Sequence, residues 1–424
     1  MSIALLDPSD DGYKAALRRL QKSQRANAFK EQDRNWTPFR AAEKRYMAKY
    51  PPPDMSGVLD LAAGDSARAT ELAQSKWKGD PSATATTRLS CANGAVAYTV
   101  DAIPGLVILP GYLDAATQRE LITWALFDHA KAPNDTNLDA HYQLPDEGLW
   151  NAHVASLQEG RESTVLPKPT PEGAIEEATG PRQLVNNTAA GVDNFTEMNA
   201  VAKPPPAPSR NAKAITATAL LPKLRWANIG YSYHWGSKSY DFDKDLAPFS
   251  PRLSDICTGV VKGIDWNDVW EGVEADWDEA EPHWNTWPTD YAPDAGIVNF
   301  YQLSDTLMAH VDRSELTSTP PLVSISLGQA AIFLIGSTTR DTEPVPVLLR
   351  SGDVLIMSGP ECRRAYHGVP RILDKTLPPH LQGNDEAWKP FASYLDCTRI
   401  NINARQVFPK GFVPPKSVNA LHVA

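Results

Sequence analysis

The segment Cys397-Thr398-Arg399-Ile400-Asn401-Ile402-Asn403-Ala404-Arg405 alternates polar and apolar residues along nearly its whole length. Successive side chains of an extended strand point to opposite faces, so a period of two predicts a β-strand with Ile400, Ile402 and Ala404 on one side. Arg399, Asn401, Asn403 and Arg405 then share the other side. Two arginines on an inward face are costly unless each meets an anion. The segment therefore poses two questions: which sheet it joins, and which anions its arginines meet.

Upstream, strand patterns follow one another quickly, over 296–301, 307–311, 322–327, 331–335, 345–349, 353–357 and 364–368, with the quoted segment inside a last one over 396–407. Gly or Pro separates several of them. Many short strands at near-regular spacing predict a sandwich or barrel. Earlier still, 97–100 and 105–109 read as strands. Asp114 then caps a helix over 114–127 whose apolar stripe includes Leu121, Ile122 and Leu126.

Within this run sits His310-Val311-Asp312, and His367 follows 55 residues after Asp312. Residues i and i+2 of a strand share a face, so His310 and Asp312 can reach one metal ion from one short strand. With His367 they make a 2-His-1-carboxylate facial triad. Such a triad holds Fe(II) on one side and leaves three positions open.

Taken together, Asn299-Phe300-Tyr301, His310-Val311-Asp312, His367 and Arg399-x-Asn401-x-x-x-Arg405 resemble the motif set of the AlkB family of Fe(II)/2-oxoglutarate dioxygenases. The phrases His310-Val-Asp-Arg-Ser-Glu315, Ser326-Leu-Gly-Gln-Ala-Ala-Ile-Phe333 and Ser351-Gly-Asp-Val-Leu-Ile-Met-Ser-Gly359 resemble its eukaryotic AlkB-homologue-1 branch, as does the block 224–235. The resemblance is strong over 224–235 and 296–407, weaker over 39–62 and 105–150, and absent between 160 and 213. It implies an all-β core with flanking helices, a double-stranded β-helix (jelly-roll) barrel with a helical N-terminal extension. It implies Fe(II) on His310, Asp312 and His367, and O2 and 2-oxoglutarate as co-substrates. Asn299, Tyr301, Arg399, Asn401 and Arg405 match the co-substrate positions, with Arg405 holding the Asp312 carboxylate. A plain barrel salt bridge would place Arg405 in the same way.

The implied reaction removes an N-methyl group as formaldehyde while 2-oxoglutarate becomes succinate and CO2. The implied substrates are N6-methyladenine in DNA or 1-methyladenine in tRNA. For substrate contact the sequence offers Trp226, Tyr231 and Tyr233, which read either as a half-buried hairpin or as a lid that stacks on a flipped base. It also offers Arg313, Ser314 and Glu315. Ser314 stands where bacterial relatives carry an acidic base-reading residue, so base preference does not carry over from them. His380, in the polar stretch 373–392, reads as a surface residue. Competing readings are a protein or histone demethylase or hydroxylase on the same barrel, and a non-catalytic nucleic-acid scaffold.

A formal net charge of −10 argues against a general polyanion binder. Residues 14–49 nevertheless hold eleven Lys/Arg against Glu31, Asp33 and Glu43. This segment reads as a solvated basic helix, as a phosphate-contact surface through Arg18, Arg19 and Lys22, or as a mitochondrial presequence. The organisation expected is a basic helical extension over 1–66, a strand-helix entry over 97–159, a disordered Pro/Glu/Thr-rich insert over 160–213, and the barrel with its lid over 214–424. Four cysteines without paired spacing predict reduced thiols. No 18-residue apolar run predicts a spanning helix. A monomer in the nucleus or cytoplasm, with a mitochondrial location as the alternative, is the expectation.

Overall fold

The structure, a computed structural model, describes residues 36–169, 188–277, 283–383 and 385–412. Its strands are β1 (Thr86–Ser90), β2 (Val96–Val100), β3 (Leu106–Leu109), β4 (Trp226–Gly230), β5 (Ser232–His234), β6 (Ser239–Asp241), β7 (Ala295–Gln302), β8 (Leu307–His310), β9 (Leu322–Gly328), β10 (Ala331–Ile335), β11 (Val345–Leu349), β12 (Val354–Met357), β13 (His367–Ile372) and β14 (Thr398–Arg405). The alternating segment that poses the sheet question is β14. It lies inside an eight-stranded antiparallel sheet of order β1-β2-β3-β12-β9-β14-β7-β4. The period of two then decides the layers. Ile400, Ile402 and Ala404 join Val323, Ile325, Leu327, Val298 and Phe300 in one core. Helices α2 (Ala115–Thr123), α3 (Leu149–Glu159), α5 (Pro251–Gly263) and α6 (Lys389–Leu395) cover that core.

The opposite face of the large sheet meets a four-stranded sheet of order β8-β13-β10-β11. Leu106, Ile108, Leu322, Leu355 and Met357 pack there against Phe333, Ile335, Val347, Val369 and Ile372. Two antiparallel sheets face to face, with helices outside, make the double-stranded β-helix that the sequence implies.

The outer face of the small sheet is closed by α1 (Pro38–Met47), which Thr37 caps and Pro38 starts. Phe39, Ala42 and Tyr46 lie at helical spacing and bury against Ala309, Ile332, Leu334 and Leu348. The described part of the N-terminal extension is thus a wall of the barrel. Asp60 and Arg350 pin the following chain to the β11–β12 turn through a fully buried ion pair of 2.7 Å. Removing one partner would strand a buried charge, a loss of roughly 3–5 kcal/mol.

Residues 67–96, between the segments expected from the sequence, supply β1 and the start of β2. Two expectations change. The insert 160–213 has ordered ends: Thr164–Pro167 pairs with Tyr142–Gln143 and with Ile215–Thr216. Further on, α4 (Phe195–Asn199) buries Phe195 among Tyr231, Phe242, Phe408 and Phe412. Composition does not anticipate this, because one lone ring finds partners far away in the chain. Residues 170–187 lie outside the described residues. Finally, β8 ends at His310, so Asp312 stands in the loop beyond it rather than on the strand. Among the described residues, no helix is long and apolar enough to cross a membrane.

Candidate active site

The antiparallel pairing of β8 with β13 sets His310 directly opposite His367, with ring centroids 4.4 Å apart. The loop after β8 folds Asp312 back toward both. One ligand atom from each of the three residues lies within 4.8 Å of the others. Nδ1 of His310 is 3.0 Å from the Met308 carbonyl, and Nδ1 of His367 is 3.0 Å from the Ala365 carbonyl. A carbonyl only accepts, so both Nδ1 atoms carry the proton and each Nε2 offers its lone pair to the centre.

Asp312 divides its oxygens. Oδ2 accepts a hydrogen bond from Arg405 Nη1 at 2.8 Å, and Oδ1 lies 3.6 Å from His310 Nε2. Burial by itself would raise the Asp312 pKa, but Arg405 and the two imidazoles hold the carboxyl well below the usual range. Burial, with help from His310, lowers His367 to about 4. Asp312 and His367 are therefore already deprotonated as a cation requires. Two neutral imidazoles and one carboxylate suit a divalent iron that keeps open positions, so the residues present fit that ion.

Among the described residues, the second arginine of β14 meets no carboxylate. Arg399 is 1% exposed; Nη2 donates to Ser326 Oγ at 2.9 Å, while Nε and Nη1 have no partner among the described residues. Burial lowers its pKa to about 10, which still leaves it cationic at neutral pH. A buried guanidinium with orphaned donors is the complement of a carboxylate, which it can take in a bidentate pair. Tyr301 sits opposite Arg399 in register and Asn299 opposite Asn401. Asn401 Nδ2 in turn donates to Ser324 Oγ and to the Ile325 carbonyl. The strand thus brings all five expected co-substrate residues to one face, with Arg405 turned to Asp312 instead.

The strand and hairpin expected to contact substrate are aromatic. Trp226 on β4 stacks near Trp235 at 5.3 Å between centroids, and Trp235 contacts Tyr233 at 5.0 Å. Trp235 is 46% exposed, the most open ring of this group. Three sequence expectations are redirected here. Tyr231 faces Phe242 and Phe408 within the aromatic cluster, so its role is to hold the hairpin. Glu315 is 2% exposed and accepts from Arg405 Nη1 at 2.9 Å, which turns it away from any ligand because Arg405 attracts it inward. Ser314 donates to the Lys238 carbonyl and lies 3.3 Å from Tyr233 Oη, tying the loop to the β5–β6 hairpin. The Arg313 carbonyl accepts from Ala190 N at 2.7 Å, so the insert touches the ligand loop. His380 is half-buried, with Nε2 on Gln118 Oε1 at 3.0 Å, and belongs to the scaffold. Arg18, Arg19 and Lys22 lie outside the described residues.

Sequence reasoning missed Ser326, Tyr240 and Glu43. Ser326 follows from strand alternation in β9, opposite Asn401. Glu43 is an acid within the stripe Phe39, Ala42, Tyr46 of a basic helix, a buried polar position that periodicity could have flagged.

A family model described as "2OG-Fe(II) oxygenase superfamily" matches residues 183–405. "tRNA demethylase abh1" of Schizosaccharomyces pombe is 30% identical over 377 residues, spanning 88% of this chain and 96% of its own. "DNA N(6)-methyladenine demethylase ALKBH1A" of Arabidopsis thaliana is 28% identical over 405 residues, spanning 94% of this chain and 98% of its own. A solved structure described as "The structure of OsALKBH1" superposes with a TM-score of 0.38 at 21% identity, over 72% of this chain and 97% of that one.

Proposed function

The chain belongs to the 2OG-Fe(II) oxygenase superfamily, and on that premise we propose that it oxidatively demethylates N-methylated bases of nucleic acid, either N6-methyladenine in DNA or 1-methyladenine in tRNA. The names of the two full-length relatives carry the substrate class. The observation that carries the chemistry is the division of labour on β14. Arg405 secures Asp312, whereas the buried Arg399 keeps two donors without a partner among the described residues.

In this reading His310 Nε2, Asp312 Oδ1 and His367 Nε2 hold Fe(II), and Arg399 takes the distal carboxylate of 2-oxoglutarate, with Tyr301 and Asn401 beside it. When bound, iron and 2-oxoglutarate would supply the oxidising power: 2-oxoglutarate, O2 and the N-methylated base would give succinate, CO2 and an N-hydroxymethyl base, which releases formaldehyde and the free amine. The protein's part is placement. Arg405 keeps Asp312 charged and aimed, and the Met308 and Ala365 carbonyls keep both imidazoles in the ligating tautomer. Trp226, Tyr233 and Trp235 offer flat faces on which an extruded base can stack, and flat faces favour a base over a peptide.

The test is anaerobic iron loading, followed by 2-oxoglutarate, oxygen and a panel of N6-methyladenine DNA, bubbled and duplex, beside a 1-methyladenine tRNA stem-loop. Succinate and formaldehyde are measured together. Formaldehyde matched to one nucleic acid is the expected result. Succinate without formaldehyde would move the substrate to a protein, and neither product would end the enzymatic reading.

A further inference from the structure

Among the described residues, the strand that carries His310 has only one strand neighbour. β8 is the edge of the small sheet, bonded to β13 on one side, and its ladder slips between Leu307 and His310. An edge strand leaves a row of main-chain groups without sheet partners. At Ala309, one residue before the ligand, both such groups are taken by side chains. The Ala309 N–H donates to Glu43 Oε1 at 2.7 Å, and the Ala309 carbonyl accepts from Arg340 Nη2 at 2.9 Å.

The two clamps are linked. Glu43 is 4% exposed, and its Oε2 accepts from Arg40 Nη1 at 2.9 Å. Phe39 N, one turn earlier on the same helix, donates to the Arg340 carbonyl at 3.2 Å. Burial of Phe39, Ala42 and Tyr46 fixes α1 on the sheet independently of Glu43. A buried carboxylate in such a stripe is an unfavourable choice for packing alone. Its geometry answers a different need, which is to stop the last residues of a weakly paired strand from fraying beside the metal site.

We propose that Glu43 is a positioning residue of the metal centre, holding the Ala309 peptide so that His310 keeps its aim. The proposal rests on the reading that His310, Asp312 and His367 bind a divalent metal. A partner that orients a ligand in this way is worth about 10–100-fold in metal affinity when removed. Glutamine can still accept the Ala309 N–H and fill the same volume, whereas alanine cannot. Aspartate is one methylene too short to reach.

The experiment is a titration of the metal-free full-length protein with Co(II), followed by visible absorption, for wild type, Glu43→Ala, Glu43→Gln and Glu43→Asp, with a thermal melt of each. The expected result is Co(II) binding weakened on the order of tenfold or more in Glu43→Ala and Glu43→Asp, and near wild type in Glu43→Gln. If Glu43→Ala does not fold, the Asp and Gln variants decide. Equal Co(II) affinity and equal spectra across the set, with only the melting temperature lowered, would overturn the proposal and leave Glu43 a packing residue. Failure of the wild type to bind Co(II) would instead overturn the metal reading beneath it.

Discussion

Where β8, β13 and β14 converge, Asp312 and both imidazoles are each held by a fixed polar partner: Arg405 on Asp312, and a main-chain carbonyl on each imidazole. The β5–β6 hairpin across from them is held mainly by rings, through Tyr231, Tyr240, Phe242, Phe408 and Phe195 of the insert. Hydrogen bonds and ion pairs fix distance and direction, while ring packing fixes area and tolerates sliding. The contrast matches what each wall has to do. A metal and a co-substrate need one geometry, whereas a base on a nucleic-acid chain must enter and leave.

That contrast breaks first at Asp312. Asp312→Ala removes a ligand and leaves Arg405 with one carboxylate where it had two. With the carboxylate proposed to hold the iron gone, turnover should fall by about 10³-fold or more, roughly 4 kcal/mol of transition-state stabilisation, and Co(II) titration should lose its signal. Retained activity would remove the triad from the mechanism. Arg399→Ala should act on the co-substrate alone. The KM for 2-oxoglutarate should rise on the order of 10–100-fold, as for a lost charge-assisted hydrogen bond, with Co(II) binding unchanged. Arg399→Lys should not restore it, because lysine lacks the planar fork. A KM that does not move would place the co-substrate elsewhere.

The substrate wall should respond differently. Trp226→Ala should raise the KM for methylated nucleic acid about tenfold, the worth of one stacked base. The KM for 2-oxoglutarate should stay where it is. If both constants shift together, Trp226 supports the barrel rather than the base, and the two walls are not separable.

This division also explains what was legible in the sequence. β14 could be read because period two and the spacing of Arg399, Asn401 and Arg405 are local facts, and the strand's neighbours then follow from the layers. The His310-x-Asp312 spacing was legible too, although the loop, and not the strand, delivers Asp312. The site of Glu315 was not. A carboxylate three residues beyond Asp312 reads as a substrate contact until Arg405, 90 residues on, draws it inward. Phe195 fails to show for the same reason, and of Glu43 periodicity shows the burial but not the partner. Each partner lies more than two hundred residues away, Phe408 for one and Ala309 for the other.

The effect furthest from the chemistry concerns the support behind β4. His129 is buried beneath β4, bonded to the Asn228 backbone and stacked on Trp124 at 4.4 Å. Burial lowers its pKa from 6.5 to about 4, so the folded protein holds it neutral where the unfolded chain would protonate it. Between those two values the unfolded state binds more protons, so stability rises with pH there and is lost as pH falls below about 6.5. At pH 5 this group alone should take away about 2 kcal/mol relative to pH 7.5, a shift of a few degrees in melting temperature. His129→Phe keeps the ring and removes the titration, so its melting temperature should drop less between those two pH values than that of wild type. Equal drops would mean that His129 bears none of the acid sensitivity, and that protonation elsewhere in the barrel loosens it.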